Sequence, residues 1–265
     1  MTRPGLLTEE KEDLKDFWSR YLDYFEMIND SRLYRDFLRA GIRSLEIRPG
    51  AKILDAGCGF AYWSFSLIDW LSRNDPQALG TISITAFDYV EKVLRTAQEK
   101  FSFISAERLK QRSPQFRVVL GDANTELKAL EDRYYDIIGA NLLLPYVKDP
   151  LASLKKMAEK LKPGGQIVVT SLIPNPRLII VVLAYVWERL WSKKGWGEIK
   201  HNLPKGWQLY KEANKIKELT KSGVFKYFSK PELKELLSSA GLERVTVRSA
   251  LAGQGLIAIG QKPEH

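Results

Sequence analysis

The chain of 265 residues predicts an α/β fold: a doubly wound, mostly parallel sheet, with N-terminal helices ahead of it and a helical lid insert late in its course. Three observations carry the prediction. The run Ile53-Leu54-Asp55-Ala56-Gly57-Cys58-Gly59-Phe60-Ala61 breaks from apolar residues into two closely spaced glycines, just where a strand should meet a helix. Apolar, strand-like segments then alternate with helical stretches, the order a parallel sheet requires. Two of those strands lead into an acid, Asp88 and Asp122, at the edge where the glycine loop also leaves the sheet.

In chain order, residues 16–45 are amphipathic and aromatic and break near Asn29-Asp30-Ser31, which predicts two helices before the first strand. Ile53 and Leu54 end that buried strand, and bare backbone at Gly57 and Gly59 lets a ligand approach where a Cβ would push it away. A dinucleotide fingerprint would need a glycine at position 62, where Tyr62 stands, and no P-loop lysine follows. Residues 81–88 and 116–123 read as the second and third strands, 134–150 as the fourth strand and its loop, and 154–172 as a helix stopped by Pro163-Gly164-Gly165 and followed by a fifth strand. This divides the chain into a helical cap (1–48), a core (49–173 and 227–265) and a helical insert (174–226).

The ordered segments between residues 53 and 172 resemble the class I S-adenosylmethionine-dependent methyltransferases, whose first motif reads apolar-x-Asp-x-Gly-x-Gly-x-Gly. This chain departs from that motif once, with Ala61 in place of the last glycine. The resemblance implies a Rossmann-like, seven-stranded, mostly parallel sheet, methyl-transfer activity and S-adenosylmethionine as cofactor. It also implies that Gly57 and Gly59 cradle the cofactor, that Asp88 with Tyr89 beside it accepts the ribose hydroxyls, and that Asp122 with Ala123 holds the adenine amino group. Asn141 falls at the switch point after the fourth strand. Asp55 has two readings, direct contact with the cofactor or organisation of the loop. Tyr24, Met27, Tyr34 and Arg35 loosely resemble the entry helices of ubiquinone and menaquinone C-methyltransferases, with Tyr24 either closing over the cofactor or packing in the core. No metal is expected.

Composition and charge bear on the acceptor. Two histidines and a single cysteine, Cys58, leave no internal disulfide, and the charged N-terminus is unlike a secretory signal, so a cytoplasmic setting is expected. Between residues 189 and 230, one arginine and ten lysines face three glutamates, and that stretch holds +8 of the net +9. Just before it, residues 178–191 form an apolar run too short to span a bilayer but suited to lie in an interface. Trp187, Trp191, Trp196 and Trp207 are four of the seven tryptophans. Tryptophan and lysine beside an apolar helix suit a headgroup region, so the insert is expected to contact the inner, anionic face of a membrane and to roof the active site. Packing of that helix on the chain's own core or on a partner subunit is the alternative. His201, in the insert, is the candidate general base. The expected acceptor is an apolar small molecule such as a quinone, an isoprenoid or a lipid headgroup. The basic charge also fits RNA, but Ala140-Asn141-Leu142-Leu143 is unlike the Asn/Asp-Pro-Pro-Tyr motif of amino-methylating nucleic-acid enzymes. A non-catalytic cofactor-binding protein is the third reading.

Overall fold

A computed structural model describes residues 4–29, 31–191, 208, 211–212 and 215–264. Two helices open the chain, α1 (Pro4–Asn29) and α2 (Arg32–Ile42), and the Ser31 hydroxyl caps the second by accepting the Tyr34 N–H at 3.2 Å. There follow β1 (Lys52–Ala56), α3 (Tyr62–Asn74), a short α4 (Pro76–Leu79), β2 (Ser83–Asp88), α5 (Glu91–Ile104), β3 (Gln115–Leu120), β4 (Tyr135–Asn141) and α6 (Pro150–Lys160). The described elements end with β5 (Leu161–Leu172), α7 (Leu178–Leu190), α8 (Lys230–Ser239), β6 (Glu243–Ala250) and β7 (Gly255–Gln261).

The seven strands form one sheet in the order β3-β2-β1-β4-β5-β7-β6. β1 to β5 run parallel, and β7 enters antiparallel between β5 and β6. The direction of winding reverses between β1 and β4, and a ligand crevice opens at the carboxyl ends of strands around such a point. β1 and β2 are buried along nearly their whole length because helices cover both faces, which is why they read as continuous apolar runs. One face packs on α2 and α3 through residues such as Phe37, Ile42, Trp63 and Leu67, and the other on α6 and α8 through Leu154, Met157, Leu233 and Leu237. The N-terminal helix α2 is thus part of a covering layer of the sheet rather than a separate cap.

Two local expectations change. Helix α6 stops at Lys160, before Pro163-Gly164-Gly165. Leu161 already pairs with Tyr135, and pairing resumes at Gln166 opposite Ile137, so residues 162–165 bulge out within the strand. Glycine is needed at 165, where a Cβ would lie 2.9 Å from the Lys162 carbonyl oxygen. The third strand ends at Leu120, so Gly121 and Asp122 belong to the following turn.

Helix α7 buries Val181 and Tyr185 and is held by Glu188, which accepts the Arg32 N–H at 2.6 Å. It packs against α2 and α1. Its other side exposes Ile179 and Leu183 at 60 % each, Trp187 at 65 % and, just beyond its end, Trp191 at 77 %. None of its residues lines the main cavity, which corrects the expectation that this helix roofs the active site: its inner face is spent on α2. Among the described residues, no helix is long and apolar enough to cross a membrane.

Candidate active site

A cavity of about 830 Å3 lies at the carboxyl ends of β1, β2 and β4. Its floor is the loop after β1. Gly57 and Gly59 take left-handed conformations (φ 65° and 51°), and a Cβ on Gly57 would lie 2.6 Å from Leu143 Cδ1. The Gly57 and Cys58 N–H groups donate to the Phe87 carbonyl at 2.8 and 3.0 Å, which ties this loop to the end of β2. Ala61, the departure from the glycine motif, is itself left-handed (φ 58°) at the start of α3, a conformation that costs a residue with a Cβ about 1–2 kcal/mol.

Asp88, 7 % exposed, lines the cavity and also organises it: its carboxylate accepts the Gly59 N–H at 2.9 Å and the Val90 N–H at 3.0 Å. Burial holds its pKa above the usual carboxylate range, against the pull of those backbone donors. Tyr89 follows it on the wall; burial first, and the nearby Asp88 and Asp122 next, keep its phenol neutral. Asp122 and Ala123 also line the cavity. Asp122 shapes its own turn as well, accepting the Asn124 N–H at 2.8 Å and the Asn124 side-chain amide at 2.7 Å.

For Asp55 the structure shows the organising role. It is fully buried behind the loop, not on the cavity wall, and its Oδ2 accepts both the Ser64 N–H (3.2 Å) and hydroxyl (2.6 Å), fixing the start of α3. Burial pushes its pKa up to about 7. Cys58 is buried, its thiol held protonated by burial and by Asp88 and Asp55. Asn141 does face the cavity. Tyr24 packs against the core and does not line it. His201, Trp196 and Trp207 lie outside the described residues.

The remaining wall was not read from the sequence. α1 supplies Leu14, Trp18, Tyr21, Leu22 and Phe25, and the insert contributes Gly223, Val224 and Phe225. Trp18 and Tyr146 pack with ring centroids 4.7 Å apart, and Phe225 sits 5.1 Å from Tyr146. The Tyr146 hydroxyl lies 3.3 Å from that of Tyr227, and burial keeps both phenols protonated. The aromatic character of α1 was legible, but contacts such as Trp18 with Tyr146 join residues far apart in the chain, and no local pattern marks them. Among the described residues, no cluster of His, Cys, Asp and Glu could hold a metal ion.

The model of the methyltransferase domain matches residues 28–247, most of the chain. The chain belongs to the methyltransferase-domain family. This methyltransferase is 23 % identical over 258 residues to the demethylmenaquinone methyltransferase of Bacillus cereus, a match covering 96 % of the chain and 98 % of the relative. It is 22 % identical to the enzyme of the same name from Bacillus cytotoxicus over the same spans. Among solved structures it resembles a SAM-dependent methyltransferase from Aquifex aeolicus (TM-score 0.53, 16 % identity, 84 % and 88 % of the two chains). It also resembles a possible histamine N-methyltransferase from Thermotoga maritima (TM-score 0.54, 18 % identity, 94 % and 97 %). These likenesses show the seven-stranded fold.

S-adenosylmethionine is the cofactor of this methyltransferase, and the residues present fit it. Gly57 and Gly59 present backbone without side chains to the cavity, Leu143 packs where a Cβ on Gly57 would stand, and Asp88 presents a buried carboxylate on the same cavity. Gly57 and Gly59 would lie under the cofactor, with Asp88 accepting from its ribose and Asp122 near its adenine.

Proposed function

We propose that this methyltransferase acts on an apolar, ring-bearing or lipid-like acceptor, quinone-like in character, while docked on the inner face of an anionic membrane. The supporting observation is the half of the cavity that the cofactor loops do not build: Trp18, Tyr21, Phe25, Tyr146 and Phe225 offer an apolar, aromatic wall suited to a flat ring. The naming of relatives as demethylmenaquinone methyltransferases, matched over 96 % of the chain, points the same way. Bound S-adenosylmethionine supplies an electrophilic methyl group. The chain's share is to hold an acceptor in line with it and to exclude water, and the aromatic wall suits both tasks. The Tyr146 phenol, on the cavity wall and paired with Tyr227, stays protonated and cannot take an acceptor's proton at neutral pH. We assign that step to His201 in the basic insert.

The membrane half of the proposal rests on α7. Ile179, Leu183, Trp187 and Trp191 form an exposed apolar stripe, and most of the net positive charge follows it in sequence. The test is sedimentation with vesicles of mixed phosphatidylcholine and phosphatidylglycerol. The protein should pellet with them and be only partly released by salt, whereas the double variant Leu183→Glu/Trp187→Glu should stay in solution with unchanged affinity for S-adenosylhomocysteine. Pelleting of the variant as well would take the contact away from α7, and no pelleting of the unaltered protein together with salt-steep binding of single-stranded RNA would replace the membrane reading with the nucleic-acid one.

A further inference from the structure

The corner where α1 meets α2 holds two buried polar groups whose hydrogen-bonding capacity the chain does not use. The first is the Tyr34 hydroxyl. Tyr34 is 2 % exposed and lines the cavity. Its hydrogen bonding runs through Asn141. The Leu142 backbone N–H donates to Thr170 Oγ1 at 2.9 Å, and the Thr170 hydroxyl donates to Asn141 Oδ1, 2.7 Å away. With that oxygen engaged, the Asn141 side-chain NH2 donates to Tyr34 Oη at 2.9 Å. An amide NH2 can only donate, so the orientation of the Asn141 side chain, Oδ1 on Thr170 and Nδ2 on Tyr34, sets the direction of the last link. Tyr34 receives, and its own proton is left for the cavity. Burial holds that proton on the phenol. The second group is Asn29 Oδ1. Asn29 is 5 % exposed and lines the same cavity; its Nδ2 donates to the Phe25 carbonyl at 3.3 Å, while Oδ1 has no partner.

We propose that Tyr34 and Asn29 form the recognition site for the amino-acid end of the cofactor, the phenol donating to the α-carboxylate and the Asn29 oxygen accepting from the α-ammonium. The position on the sheet supports this orientation. Asp88 and Asp122 follow β2 and β3, on one side of the glycine loop, and the strand order puts β4 and β5, which carry Asn141 and Thr170, on the other. A cofactor with its ribose and adenine at the acids extends its methionine end toward β4. That end is an anion and a cation separated by one carbon, and an unused donor and an unused acceptor are what the corner offers. Asn29 is also the last residue of α1, so the same contact fastens the helix bearing Trp18, Tyr21 and Phe25 to the bound cofactor. Thr170 and Asn141 act through Tyr34 and are positioning residues.

Calorimetric titration with two ligands tests this: S-adenosylhomocysteine, which has the amino-acid end, and 5′-methylthioadenosine, which has the nucleoside and sulfur without it. Tyr34→Phe should weaken S-adenosylhomocysteine roughly tenfold, the scale of one lost hydrogen bond to a charged group, and leave 5′-methylthioadenosine within about twofold, with a melting temperature close to that of the parent. Thr170→Val should shift the ratio in the same direction and Thr170→Ser should restore it. Asn29→Ala provides a readout independent of the Tyr34 chain and should also lower the ratio. Equal weakening of both ligands, or an unchanged ratio in both Tyr34→Phe and Asn29→Ala, overturns the proposal. Failure of both ligands to bind the unaltered protein would overturn the cofactor assignment along with it.

Discussion

Replacing Asp88 with alanine removes a carboxylate that serves two tasks, and the structure allows the two to be separated. Its oxygens accept the Gly59 and Val90 N–H groups at 2.9 and 3.0 Å and still line the cavity, so each retains lone pairs for a ribose hydroxyl. Two hydrogen bonds to a charged, buried acceptor contribute about 1.5–3 kcal/mol each. Part of that gain is spent on ionising a carboxyl group whose pKa burial has raised. A net loss of about 2–3 kcal/mol is expected for Asp88→Ala, or about 30- to 150-fold weaker binding of S-adenosylhomocysteine. Calorimetry with S-adenosylhomocysteine and with an analogue lacking both ribose hydroxyls completes a double-mutant cycle. The unaltered protein should discriminate strongly between the two ligands, and Asp88→Ala should not. Affinity should also fall as the pH drops through the raised pKa, because only the ionised carboxylate accepts both hydroxyls. If Asp88→Ala weakens the two ligands equally, the loss comes from a loosened Gly59 loop, and the ribose assignment fails.

Two further outcomes are expected. Asp55 is buried with a pKa raised to about 7, so the folded state keeps a proton that the unfolded chain gives up near its ordinary value of 3.8; stability from this group is fully present below that value and is lost as the pH rises through about 7. Asp55→Asn should therefore raise the melting temperature at pH 8, by up to about 4 kcal/mol of stability, and change it little at pH 3.5; calorimetric melts at the two pH values that show no difference in the effect would refute this. His201→Ala should lower turnover of an identified acceptor about a hundredfold while leaving S-adenosylhomocysteine affinity unchanged, and a rate unchanged across pH would remove His201 from the mechanism.

The parts of the fold written in local backbone chemistry were legible in the sequence. Two glycines between an apolar strand and a helix can be read without knowing what lies across from them, and so can acids at strand ends. Gly57, Gly59, Asp88 and Asp122 stand out on that ground, and all four line the same cavity. Side-chain partnership across long sequence separations was not legible. The bond from Asn141 to Tyr34 spans 107 residues, and the bond from Thr170 to Asn141 spans 29. The apolar run of α7 fits a membrane contact, a roof over the site and packing on the chain's own core alike, and nothing local in it chooses among those surfaces. Packing on α2 through Val181 and Tyr185 took that helix away from the cavity. The proline and glycines at 163–165 were read as a helix stop, although the chain had already joined the sheet at Leu161 and needed them to bulge out of it.

The wall around the cavity comes from two kinds of chain, with different consequences for divergence. The loops after β1 to β4 are constrained by the sheet they leave, by backbone hydrogen bonds such as Gly57 to Phe87, and by one unchanging cofactor. The apolar wall from α1 and the few residues around Phe225 carry no such load beyond keeping their own packing. If that wall holds the acceptor as proposed, a lineage built on this plan would change what it methylates mainly through the stretches 14–25 and 223–225 and position 146, with the methyl donor's seat inherited intact. The sequence of α1, rather than that of the glycine loop, is therefore where two relatives with different acceptors should differ most.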